Sequence, residues 1–485
     1  MTTIAERPGG PTEAEARLLA RAPGVEPLGA VHGSGYKEGA ALVRRPDGQM
    51  VQLGPLMYAL LECVDGHRTD GELAQAMSVQ LGRRIETAHV RRLAEKLAAQ
   101  GLLAGSEHRA PPKRNPLLAL RWKVLVTKPT VTRWLTTPFT WIFHPVVLWP
   151  MLAAFVAVCW FVLIDKGVAA ATAQAFHQPA LLLLIFGLAV VSAGFHELGH
   201  AAACRYGGAT PSGMGMGLYL VWPAFYTDVT DAYRLDRRSR LRVDLGGLHF
   251  NAVVAVVTMG VWLITRTDAL LLLVALQLLQ MVKQLSPVIR ADGYHILADA
   301  TGVPDLFAHI GPTLRRLLPG HRGEPSALNS RARLLVSVWV LVVVPVLLSL
   351  MLSAILVLPR LLTTAWESGR HLVSQASTQA GHGDVVGVLA SVLLLLALLL
   401  PVAGSLLMVQ KSGRTMVTKA RHWSAGHLGR RTVVLLVSAG LASLMAWAWW
   451  PAGQYRPVRA SDKGTLISLV HTLGAPASIA RPPSA

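Results

Sequence analysis

The stretch Phe195-His196-Glu197-Leu198-Gly199-His200 sets two histidines four positions apart, with a carboxylate beside the first. On a helix, positions i and i+4 fall on one face, so both imidazoles can reach a single Zn2+ ion. Glu197, next to them, can take a proton from a water that the ion activates. The bland alternative is an accidental match, with two histidines that merely end a helix. It fits poorly, because a His-Glu pair inside an otherwise apolar run is costly unless it serves a function. A catalytic zinc commonly has three protein ligands and a water. The third candidate is Asp292, in Gln284-Leu285-Ser286-Pro287-Val288-Ile289-Arg290-Ala291-Asp292-Gly293-Tyr294. Alone, an Asp before a Gly reads as a turn residue. Paired with the histidine motif, Asp292 after a proline-broken helix end reads as the third ligand.

The elements that must position these residues are apolar. Seven segments, at about 146–164, 179–203, 246–265, 269–289, 334–358, 385–409 and 432–450, are each long enough to cross a hydrocarbon core of about 30 Å. The second ends in the histidine motif, and the fourth leads into Asp292. Of the Lys and Arg residues in the connections, twenty-five fall at 104–145, 204–243, 290–333 and 410–431. The alternate connections hold only Lys166, Arg266, Arg360 and Arg370. The positive-inside rule then predicts a cytoplasmic N-terminus, an external C-terminus and both ligand segments at the cytoplasmic face of the cell's inner membrane. Topology accounts for most of the net charge of +19, and no nucleic-acid partner is needed to explain it. The expected architecture is a mainly α, polytopic helical bundle in the lipid bilayer, with about seven spans.

Ahead of the bundle, residues 1–33 are rich in Pro, Gly, Ala and Glu and read as a flexible arm. Residues 34–104 read as a small α+β, winged-helix-like domain. In it, 41–53 forms two strands around Pro46-Asp47-Gly48. Helices follow near 55–63, from the N-cap Thr69 to Leu81, and over about 86–101. Residues 105–145 are basic and carry Trp122, Trp134 and Trp141, the composition of a segment lying at the lipid interface. The first sixty residues lack the apolar core of a cleavable signal peptide. Cys63, Cys159 and Cys204 are too few and too odd in number for a disulfide framework.

The two site motifs together resemble the site-2 protease family of membrane zinc metallopeptidases. That family joins H-E-x-x-H on one transmembrane helix to an Asn-Pro…Asp-Gly segment on a later one. Ser286 stands where the family has Asn. Asp292-Gly293-Tyr294 with Ile296-Leu297-Ala298-Asp299, and Trp222-Pro223-Ala224-Phe225-Tyr226-Thr227-Asp228-Val229-Thr230-Asp231, resemble a narrower group, the peptide zinc metalloproteases. The likeness covers about 115–305, so 146–305 is expected to be the metallopeptidase core and 306–485 additional transmembrane helices and a tail. Residues 34–104 are similar to PqqD-like domains, which bind leader peptides of ribosomally made, modified peptides. The resemblance therefore implies a zinc metalloendopeptidase whose substrate is a precursor peptide with a leader, working beside a peptide exporter or modifying enzymes. Two other readings stand: intramembrane cleavage of a membrane-bound regulator, and a non-catalytic peptide export or immunity protein.

Some of the remaining polar residues admit two readings. Asp228 and Asp231 line the site or cap turns in a loop. Asn251 donates to an oxyanion or, like its neighbour His249, packs helices together. Asp244 ends a span at the interface, Lys283 reaches along its helix to the headgroups, and His295 is not a ligand.

Overall fold

The computed structural model describes residues 18–31, 33–45, 50–105, 121–219, 222–317 and 326–448. The chain divides into two compact units, Met1–Arg114 with Thr301–Ser337, and Asn115–Ala300 with Val338–Ala485.

In the first unit β1 (Glu26–Ala30), β2 (Ala41–Arg44) and β3 (Met50–Leu53) form an antiparallel sheet in that order. Strands β2 and β3 are the expected pair; the turn at 46–48 lies outside the described residues. Helices α1 (Pro55–Cys63), α2 (Asp70–Leu81) and α3 (Thr87–Ala99) follow where periodicity put them. Thr69 caps α2 in a reciprocal box: the backbone N–H of Thr69 donates to Glu72 Oε2 at 2.8 Å, and that of Glu72 to Thr69 Oγ1 at 3.4 Å. Val43, Leu53, Leu60, Leu61, Leu73, Met77 and Leu97 fill the core. Strand β1 falls within the stretch read as a loose arm. Its register slips between Pro27 and Gly29, where Gly29 takes a φ of +92°, and such a bulge hides the alternation that marks a strand.

The second unit opens with β4 (Arg121–Thr127) and α4 (Pro129–Thr136). Then come α5 (Pro145–Trp160), prolonged by a wider π-type turn to Lys166, α6 (Ala169–His177) and α7 (Pro179–Tyr206). After them stand β5 (Met214–Tyr219), β6 (Trp222–Thr227), α8 (Arg237–Thr265), α9 (Ala269–Leu285) and α10 (Asp292–Thr301). Helix α11 (Ile310–Leu317) belongs to the first unit; α12 (Ser330–Gly381), α13 (Val385–Ser424) and α14 (Leu428–Ala448) complete the chain. Among the described residues, six helices are long and apolar enough to cross a membrane: Pro145–Lys166, Pro179–Tyr206, Arg237–Thr265, Ser330–Leu356, Val385–Ser424 and Leu428–Ala446. The seventh expected segment forms the shorter α9, of 17 residues. Residues 449–485 and 106–120 lie outside the described residues.

Two features depart from the sequence reading. The interfacial stretch and the loop after the histidine motif contribute strands to one antiparallel sheet, in the order β4-β5-β6. The connection at 359–384 is largely helical, because α12 runs on to Gly381 before the chain turns at Gly383. Trp134, Trp141 and Trp149 are exposed, as an aromatic belt at a headgroup layer requires. The three cysteines are free, as expected.

Helices α7 and α8 approach closely where Gly199 faces Gly246. A Cβ on either would strike the other's carbonyl, the small-residue contact that lets membrane helices meet. Phe139, Phe143, Phe195 and Phe250 stack beside this crossing.

Candidate metal centre

The helical spacing on α7 brings His196 and His200 to one face, both buried. Their Nε2 atoms are 3.2 Å apart. Asp292, the first residue of α10, presents Oδ2 at 3.1 Å from His196 Nε2 and Oδ1 at 3.5 Å from His200 Nε2. Gly293 makes the approach possible, because a Cβ there would run into the backbone of Leu285 at the end of α9. One ligand atom from each of the three residues lies within 4.8 Å of the others.

These residues fit a divalent metal on three grounds. Nitrogen and oxygen ligands at about 2.1 Å from a tetrahedral zinc are about 3.4 Å from one another, and the donor separations here run from 3.1 to 3.5 Å. His200 Nδ1 lies 2.7 Å from the carbonyl of Val243 on α8, which can only accept, so Nδ1 carries the proton; in the neutral ring that a metal ligand requires, the lone pair is then on Nε2 and faces inward. That lone pair meets carboxylate oxygens, of which the buried Asp292 Oδ2 has no hydrogen-bond donor aligned to it. Converging acceptors of this kind call for a cation. Lastly, Gly247 on α8 keeps the space open: a Cβ there would sit against Nε2 of both imidazoles.

Glu197 lies on the same turn of α7. Thr227, the last residue of β6, sets its Oγ1 2.9 Å from Glu197 Oε2 and 3.0 Å from the Glu197 carbonyl, so the hydroxyl donates to one or the other. Gln284, near the end of α9, brings its amide nitrogen to 3.5 Å from His196 Nε2. Neither Thr227 nor Gln284 stood out in the sequence as a site residue, although both lie inside the segments that carry the family resemblance.

The other polar candidates separate. Asp228 accepts from the backbone N–H and hydroxyl of Thr230, and Asp231 accepts from Thr210 N at 2.9 Å and pairs with Arg234; both cap the loop. Asn251 and His249 are buried, and among the described residues the Asn251 amide has no hydrogen-bond partner. His249 rests on Phe143, ring centroids 5.4 Å apart. Lys283 is exposed at the end of α9, as a side chain reaching for headgroups would be. Asp244 is half-buried, with its Oδ2 shielded from solvent and its carboxyl beside Asp299 of α10.

A membrane helix bundle in which two helix-borne imidazoles and a carboxylate converge beside a glutamate fits a membrane metalloprotease. Comparison with known proteins agrees at that level. The chain is similar to "Putative peptide zinc metalloprotease protein YydH" of Bacillus subtilis (strain 168), at 27% identity over 124 residues. The match takes in 25% of this chain and 49% of the relative, so the chain spans about half the length of the curated relative it matches. No family model matches the chain, and no solved structure matches it.

Proposed function

We propose that the chain is a site-2-protease-type zinc metalloendopeptidase that removes the leader from a ribosomally made precursor peptide at the cytoplasmic face of the membrane. The observation that carries this reading is the convergence of His196, His200 and Asp292 beside Glu197, whose carboxylate Thr227 holds. His196, His200 and Asp292 hold the ion. Bound there, zinc supplies a Lewis acid that polarises the scissile carbonyl and makes water acidic enough to attack at neutral pH. Glu197 takes the proton of the attacking water and returns it to the leaving nitrogen as the C–N bond breaks. When the Thr227 hydroxyl donates to Oε2, it orients the carboxylate and leaves Oε1 free to accept the proton. Gln284 offers an amide N–H to the substrate beside His196. A peptide substrate is supported by β6, an edge strand of its sheet that ends at Thr227, because an extended peptide can pair with such an edge. Recruitment falls to the N-terminal unit, whose sheet has β1 and β3 as its edges.

The test uses the protein and a candidate precursor peptide, sought among short reading frames near its gene. Wild type should carry one zinc and cut the precursor. Glu197→Gln should keep the zinc and the bound leader while losing turnover, and His196→Ala or Asp292→Ala should lose the zinc. Turnover that survives Glu197→Gln, or full zinc in Asp292→Ala, would sink the reading.

A further inference from the structure

The assignment of Asp292 as a ligand, on which this inference rests, raises a mechanical question. Asp292 sits on α10 and the imidazoles on α7, so something must keep the two helices in register. Asp292 and Asp299 are two turns apart on α10, and residues seven apart share a helix face. The face that turns Asp292 toward the histidines therefore also carries Asp299, and Asp299 meets α8. Arg240 Nε donates to Asp299 Oδ1 at 3.0 Å, while Arg240 Nη1 donates to the carbonyl of Leu235 at 2.9 Å. The guanidinium is buried, 4% exposed as a residue, and both of its bonds are internal. Three residues further along α8, on the same face, the carbonyl of Val243 takes the Nδ1–H of His200. One turn of α8 thus grips a ligand on one side and the ligand-bearing helix on the other. A second carboxyl, Asp244, also abuts Asp299.

We infer that Arg240 and Asp299 are a positioning pair that fixes Asp292 against His196 and His200. An ion pair buried this deeply adds little net stability over apolar residues of the same size, whereas breaking it leaves an uncompensated charge. Its value lies in geometry. A metal constellation works only within roughly 0.5 Å of its proper spacing, and outer partners of ligands commonly change metal affinity by about 10- to 100-fold.

The experiment measures Co2+ binding to the full-length protein in detergent, by chelator competition and by the visible absorption of the bound ion. Arg240→Met leaves Asp299 and Asp244 facing each other without a cation. It should weaken Co2+ binding by about 10- to 100-fold and shift the absorption bands. Asp299→Asn keeps volume and an acceptor, so it folds most readily; it should shift the bands with a smaller loss of affinity. The double variant should be no worse than Arg240→Met, because the two residues act as a unit. Folded variants that melt earlier yet bind Co2+ with wild-type affinity and spectrum would overturn the inference, as would additive losses in the double variant. Should Arg240→Met fail to fold, Asp299→Asn decides alone. Wild-type protein that binds no Co2+, or Asp292→Ala that binds it normally, would instead refute the ligand assignment itself.

Discussion

Gly247→Ala adds one methyl group to a membrane helix and changes no ligand, yet it should abolish metal binding. The added carbon would lie against Nε2 of both His196 and His200, closer than real Cβ contacts come, so the rings must part or the helices must separate. The nitrogens stand 3.2 Å apart, close to the separation that a tetrahedral zinc requires. Clearing the methyl moves them by more than the roughly 0.5 Å a metal site tolerates. The overpacking should cost about 1–3 kcal/mol of stability, and zinc affinity should fall by about 100-fold or more, the equivalent of about 2.7 kcal/mol. Two neighbours on α8 serve as controls. Gly260 has nothing within 4 Å of its would-be Cβ, so Gly260→Ala should keep its zinc and gain up to about 1 kcal/mol from helix propensity. Gly246→Ala strikes the carbonyl of Gly199 and should loosen the α7–α8 crossing as a whole. Elemental analysis of purified protein, with equilibrium dialysis against a zinc buffer, reads the outcome. Gly247→Ala that retains one zinc at wild-type affinity would show that the ion does not lie between these imidazoles.

Thr227→Val removes the hydroxyl at nearly constant volume. A hydrogen bond to a charged group contributes about 1.5–3 kcal/mol, so kcat should fall by about 10- to 100-fold with zinc content and KM unchanged; an unaltered kcat removes Thr227 from the reaction. For topology, single cysteines introduced at the exposed Thr210 and Gln375 in a cysteine-free background should behave oppositely in intact cells. An impermeant maleimide should label position 375 and spare 210, and labelling at 210 would invert the arrangement and with it the cytoplasmic delivery of substrate.

The parts of this protein that a sequence reveals are those whose cause is local. The i, i+4 spacing of His196 and His200 requires only a helix, and α7 supplies it. Runs of apolar residues announce the six long helices, and Thr69 with Glu72 announces the start of α2. The β4-β5-β6 sheet stayed hidden because glycines at 213, 215 and 217 erase the alternation of a strand, yet the structure needs at least two of them. A Cβ on Gly215 would meet the Val124 carbonyl and the Tyr226 ring, and one on Gly213 would meet Leu125 and the Thr127 carbonyl. Gly246-Gly247 is visible as a pair of letters, but its meaning lies across the helix crossing, in Gly199 for one and in the imidazoles for the other. Thr227 reads as a strand end until α7 puts Glu197 beside it, and Arg240 reads as one of many basic loop residues until α10 brings Asp299 to it. The ligands are thus written in short motifs, while what holds and orients them is written in residues far apart in sequence. A search for the motif alone would accept a chain with Gly247 or Arg240 replaced, although such a chain should hold its metal poorly.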